Sequence, residues 1–208
     1  MKKIKLFFVV VTGIILFLLN GCSSQPTQVN QSSPSSFVTK AQFKNLTKDE
    51  SHNINIDIAL SPQKAVRLDV TALFGYKLAT VLMTPEKIQY IYYNSQSFVD
   101  GPFSSKTLYP IFKQYVDPRI LWKAIHDQNP SAQNLKCQVD VQNRPLVCQD
   151  NDLTVTWTYQ EPPMKKIVLK NSKFEMIWVF KSQSPLDESR TETFVLKKPD
   201  GFKEILIK

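Results

Sequence analysis

Glycine is scarce in this chain, five residues among 208, and histidine is scarcer still, with two. So few glycines leave little room for a phosphate-cradling loop, and no Gly-x-Ser-x-Gly elbow occurs. His52 and His126 lie far apart, and neither belongs to an HExxH pattern. The acidic pairs Asp187-Glu188 and Asp150/Asp152 read as solvated turn residues. A catalytic centre, a metal site and a bound cofactor are therefore not expected. Cysteine is limited to Cys22, Cys137 and Cys148, with no CxxC spacing. No apolar run reaches the roughly 20 residues that a membrane-crossing helix needs.

What is present begins at the N-terminus. Lys2, Lys3 and Lys5 precede an apolar run of 13 residues, Phe7 to Leu19, which is followed by Asn20-Gly21-Cys22. A basic head, a short apolar core and a small residue before a cut are the parts of an export signal. Leu18-Leu19-Asn20-Gly21-Cys22 resembles the lipobox of bacterial lipoproteins. That resemblance implies cleavage after residue 21, lipidation of Cys22 and acylation of its new amine. One acyl chain anchors only marginally, at about 0.8 kcal/mol per buried methylene, whereas several make a lasting tether. The formal charge of +8 includes the three signal lysines and leaves about +5, spread without a basic run. This suits mild attraction to anionic headgroups, and nucleic acid is not an expected partner in this compartment.

Ser23 to Ser36 has no charged side chain and is rich in Ser, Gln, Pro and Asn, the composition of a flexible tether. The expected organisation is a signal over 1–21, a lipidated cysteine and tether over 22–36, and one domain over 37–208. Ser23, rather than Asp, after the lipidated cysteine favours the outer membrane under the sorting rule it resembles, with the domain facing the periplasm.

From Asn53 the pattern alternates with period two. Ile54, Ile56, Ile58 and Leu60 share one face; Val66, Leu68 and Val70 follow a turn at Ser61–Lys64. Leu78 to Met83 is apolar on both faces, and Ile88, Tyr90 and Tyr92 complete a four-strand meander. Leu108, Ile111, Phe112, Tyr115 and Val116 fall at helical spacing behind Ser104 or Ser105, with the regular part expected near Pro110. Asp117-Pro118 starts a second helix buried through Ile120, Leu121, Ala124 and Ile125. Strands resume with a hairpin around Asn143-Arg144-Pro145 that would bring Cys137 and Cys148 together as a disulfide. Leu153 to Tyr159, Ile167 to Leu169 and Phe174 to Phe180 follow. A last hairpin is expected from Thr191–Leu196 and Phe202–Ile207, turning at Pro199-Asp200-Gly201. About ten or eleven antiparallel strands are too many for a flat sheet, so a mainly β, curled, unclosed half-barrel with a two-helix lid is expected.

This order of parts resembles the LolB/LolA family of outer-membrane lipoprotein carriers. The local likeness lies in Val66-Arg67-Leu68-Asp69-Val70-Thr71-Ala72-Leu73-Phe74-Gly75, a strand leading into an apolar-Gly loop. A second lies in Pro163 to Val179, with Lys173-Phe174-Glu175-Met176-Ile177-Trp178. The pair Cys137/Cys148 and the extension from Lys181 to Lys208 depart from the family pattern. The resemblance implies a monomeric, non-catalytic carrier that takes lipoprotein acyl chains, supplied by a periplasmic LolA-like partner, into an apolar cavity. Phe74, with Leu73, matches the protruding residue that inserts into the membrane. Val66, Leu68, Leu78, Leu82, Ile88, Tyr90, Leu121, Trp157, Met176 and Trp178 are the candidate cavity residues. The competing expectation is an envelope scaffold with a filled core that acts through protein contacts.

Overall fold

A computed structural model describes residues 33–112, 115–131, 134–187 and 191–208. The signal, Cys22 and most of the expected tether lie outside the described residues. Gln31–Lys208 forms a compact unit that contains every element described below.

Its first half is a meander of β1 (Ser35–Asn45), β2 (Glu50–Ser61), β3 (Ala65–Ala72), β4 (Lys77–Met83), β5 (Lys87–Tyr92) and β6 (Ser97–Pro102). Two helices follow, α1 (Ser105–Phe112) and α2 (Pro118–Ile125). The chain returns through β7 (Lys136–Val139), β8 (Pro145–Gln149), β9 (Thr154–Tyr159), β10 (Lys165–Lys170) and β11 (Phe174–Pro185), and ends in β12 (Lys203–Leu206). These form one unclosed sheet of twelve strands in the order β12-β6-β5-β4-β3-β2-β1-β11-β10-β9-β8-β7. Among the described residues all strand pairings are antiparallel except β12 with β6. Register shifts at Val38/Thr39, Val70/Thr71 and Gln138/Val139 are irregularities of the kind that help so wide a sheet to curl. The mainly β half-barrel with a helical lid is thus the observed architecture.

Alternation sorts the side chains. Ile56, Ile58 and Leu60 of β2, Val66 and Leu68 of β3, and Val81 and Met83 of β4 are buried in one core with Leu108, Leu121 and Ile125 of the helices. Asp117 caps α2, its carboxylate accepting from the Arg119 amide at 2.9 Å. α1 starts at Ser105 and runs through Pro110 rather than beginning near it. At two turns the helix tolerates the one amide donor that proline lacks.

Three further differences have physical reasons. β1 was not expected, because Ser35, Thr39 and Ala41 alternate with Lys40 and Gln42 without a β-branched aliphatic run. It nonetheless sits mid-sheet between β2 and β11, and starts at Ser35, inside the span expected as tether. β6 was also unexpected, with Asp100, Gly101 and Pro102 diluting its pattern. An added Cβ at Gly101 would lie 2.7 Å from Thr107 Oγ1 and 3.0 Å from Ile207 Cβ, so the bare backbone lets α1 and the C-terminus approach. These two strands raise the total to twelve. Finally, the expected C-terminal hairpin is absent. Thr191–Phe194 is a short 3-10 turn, and β12 pairs in parallel with the β6 edge instead.

That C-terminal segment reaches the outer face of the meander. Arg67 donates to the Thr193 carbonyl at 3.1 Å, and the Tyr93 and Phe202 rings meet edge to face at 6.2 Å. Burial pushes the Asp69 carboxyl there upward, but bonds from Arg67 and Thr80 outweigh it and hold it below its ordinary range.

Cys137 and Cys148 stand opposite each other in the β7–β8 register and are joined as a disulfide across 11 residues of sequence. Closing a loop of that size stabilises by roughly 3 kcal/mol in the chain-entropy model. Cys148→Ser should lower the unfolding free energy by about 2–3 kcal/mol in denaturant titrations. An unchanged midpoint would show that the edge hairpin frays independently of the core.

Candidate functional site

Between the lid and the sheet lies a cavity of about 220 Å³. β1 and β2 contribute Ala41, Phe43, His52, Ile54 and Ile56, and β3 and β4 contribute Leu68, Val70, Leu78, Ala79, Val81 and Met83. Tyr92, Met176 and Trp178 complete the sheet side, with Leu108, Ile111, Leu121 and Ile125 above from the lid. The walls are apolar because strand alternation sends apolar residues of six neighbouring strands inward.

The cavity opens at one end of the sheet. Phe43, Ile54 and Leu78 are half-buried there and His52 and Tyr92 exposed, whereas Met83, Val81 and Trp178 at depth are buried. The same end carries the turn between β3 and β4. There the Gly75 amide donates to the Ala72 carbonyl at 3.0 Å and the Ala72 amide to the Tyr76 carbonyl at 2.8 Å. Gly75 has φ +80°, a conformation that favours glycine. This tight turn leaves no inward path for Leu73 and Phe74, which are 61% and 90% exposed.

The closed end is fixed by polar bonds inside an apolar shell. The Trp178 indole N–H donates to Thr39 Oγ1 at 2.7 Å, and that hydroxyl donates to the Ile56 carbonyl at 2.6 Å. Behind it the Trp178 ring lies tilted against Phe180, centroids 5.2 Å apart, and Phe180 meets Phe37 edge to face at 5.7 Å. Lys165 of β10, only 5% exposed, reaches under the lid. Its ammonium donates to the Ile125 carbonyl at 3.0 Å, pairs with Asp127 at 2.8 Å and lies 4.5 Å from the Phe180 ring centre. It thereby satisfies the C-terminal end of α2 and ties the lid to the sheet.

Burial is the main reason that the Lys165 ammonium pKa lies below the ordinary lysine range, with Asp127 pulling the other way. His126 is likewise held down, first by burial and then by the Lys165 charge, against the Trp122 carbonyl 2.7 Å from its Nδ1. Tyr159 donates to Asp127 at 3.3 Å, and burial with the Asp127 charge pushes its phenol well above the usual range. Burial alone pushes Tyr90 up to about 12.

Of the ten residues expected around a cavity, Leu68, Leu78, Leu121, Met176 and Trp178 line it. Val66, Ile88, Tyr90 and Trp157 are packed into the surrounding core. Leu82 faces the other way, in a row with Arg67 and Gln89 on the outer face. The run from Leu78 to Met83 is apolar on both sides and so carries no facing signal. His52, Phe43 and Tyr92 were not singled out. Tyr92 continued a recognised alternation, but Phe43 lies on the unexpected strand and His52 precedes the first one expected. Among the described residues no cluster of three or more His, Cys, Asp or Glu could hold a metal.

Two solved structures share this architecture. A LolA superfamily protein from Nitrosomonas europaea superposes with a TM-score of 0.53 at 6% identity, over 79% of this chain and 91% of its own. A domain from Vibrio parahaemolyticus, assigned to outer membrane lipoprotein sorting, gives 0.54 at 10% identity, over 80% and 90%. The chain shares the fold of these two structures. No family profile matches the chain, and no curated protein matches its sequence. At these identities the likeness to LolA-type proteins concerns the fold, and function must be argued from the cavity and the exposed turn.

Proposed function

We propose that this protein is a non-catalytic lipid carrier of the outer membrane. In this reading Cys22 is lipidated and anchors the chain, with the domain facing the periplasm. The cavity receives acyl chains of lipoproteins or lipids, handed over by a LolA-like periplasmic donor, and a single copy passes them to the leaflet. The observation that carries the proposal is the juxtaposition of two features: an apolar cavity under a helical lid, and its opening beside the exposed Leu73 and Phe74. Chain burial supplies the driving force at about 0.8 kcal/mol per methylene, and release follows when the bilayer offers more. A space of this size between lid and sheet supports the carrier reading over a scaffold with a filled core.

Native mass spectrometry of Gln31–Lys208 purified from a periplasm tests it. Acyl lipid or lipopeptide is expected at about one per chain, the stoichiometry of a single pocket. A clean apo mass with no uptake of added fluorescent fatty acid would overturn the reading in favour of the scaffold.

A further inference from the structure

On β11 the cavity lining ends at an aromatic plug. Trp178 is the one member of the Phe37–Phe180–Trp178 cluster that lines the cavity, and the other two belong to the core beyond it. Its indole cannot swing aside without giving up Thr39 Oγ1, which is itself committed to the Ile56 carbonyl. Giving up that bond would leave a buried donor unsatisfied. Trp178, Phe180 and Thr39 are all 2% exposed or less. At the open end, His52 and Tyr92 are the lining side chains whose polar groups remain available. The cavity therefore has an apolar blind end and a polar rim, the polarity of an unbranched amphiphile with its head outward.

We propose that Trp178 is a chain-length ruler: the closed cavity admits the terminal carbons of one unbranched acyl chain and stops them at the indole. An apolar cavity of about 150 Å³ takes a six-carbon ring, and at the same ratio about nine carbons fill this one. This rests on the acyl-binding reading above and specifies how the ligand enters, with one linear chain of the lipid or lipoprotein in the cavity rather than a sterol-like hydrophobe. Each added methylene tightens binding about fourfold while it is buried. The gain per carbon collapses once the chain end meets the plug.

The test is competition by saturated fatty acids from octanoate to hexadecanoate against a fluorescent fatty acid, with Gln31–Lys208 as the protein. Wild type should gain affinity with each carbon to a break at about ten carbons, counting the carboxyl. Trp178→Ala should move that break outward by about four carbons, and Trp178→Phe, which keeps an aromatic ring against Phe180, by about one or two. The phenylalanine variant alone decides the matter if the alanine variant does not fold. A break at the same length in wild type and variants would overturn the ruler and leave the carrier intact. Absence of competition at every length would overturn both. A loss of stability alone would shift all affinities together and leave the break in place.

Discussion

Phe74→Glu is expected to reduce delivery of a bound fluorescent lipopeptide to vesicles by about 10- to 100-fold, while binding of the same lipopeptide stays unchanged. The magnitude follows from burial of a phenylalanine side chain, worth about 1.5–3 kcal/mol, which a carboxylate at the same depth cannot supply. Specificity of the effect follows from position. Phe74 is 90% exposed and outside the core, so its replacement should alter stability by no more than about 0.5 kcal/mol. Aromatic side chains partition well at headgroup depth, so Phe74→Trp should retain delivery. The turn that presents Phe74 lies at the open end of the cavity, which gives the lipid a short path from pocket to leaflet. Equal delivery rates for wild type and Phe74→Glu would remove the insertion role from this turn and leave the cavity unaffected.

Asp127→Asn should have the largest effect on stability, a loss of about 3–5 kcal/mol at pH 7, because it leaves the Lys165 ammonium buried without its counter-charge. The loss should shrink as pH rises. The folded-state pKa of Lys165 is lowered by burial, whereas an unfolded lysine titrates near about 10.4. Between those values the unfolded chain holds more protons, so stability rises with pH. Removing Asp127 lowers the folded-state value further, and the variant begins to recover at a lower pH than the wild type. The groups around the pair are His126, Tyr159 and, across the Tyr159 ring at 4.2 Å, Arg144, which is paired with Asp140. Tyr159 stays protonated through this range, its pKa being raised by burial and by Asp127. His126 is held below its ordinary range and stays neutral over it. Denaturant titrations of wild type and Asp127→Asn from pH 7 to pH 10 should therefore converge. Parallel profiles would show that Lys165 does not shed its proton and that the loss lies in packing. Lys165→Met, which removes the buried charge itself, should cost less than Asp127→Asn.

Much of the architecture is legible in one-dimensional pattern. The alternation of Ile54, Ile56 and Ile58 or of Phe174, Met176 and Trp178 defines strands because each must bury one face. Asp117-Pro118 defines a helix start because its side chain and ring act within a single turn. The spacing of Cys137 and Cys148 around a turn was enough to pair them, because a two-stranded hairpin places its ends opposite each other. Where local signals were diluted, as in β1 and β6, or equal on both faces, as at Leu82, the pattern carried no instruction. There the sheet decided.

A mainly β, curled sheet with a two-helix insertion follows from side-chain period, capping and turn chemistry, each of which acts over a few residues. Tertiary structure alone decided which apolar residues line space and which fill it, since Leu68 and Val66 have the same character but different neighbours. It also decided that Lys165 lies under the lid, that Trp178 lines the cavity, and that the C-terminal strand pairs with β6 rather than with its own preceding segment. Each depends on contacts between residues far apart in sequence. The free energy of such contacts is set by what is already packed on the other side, and no local pattern encodes that.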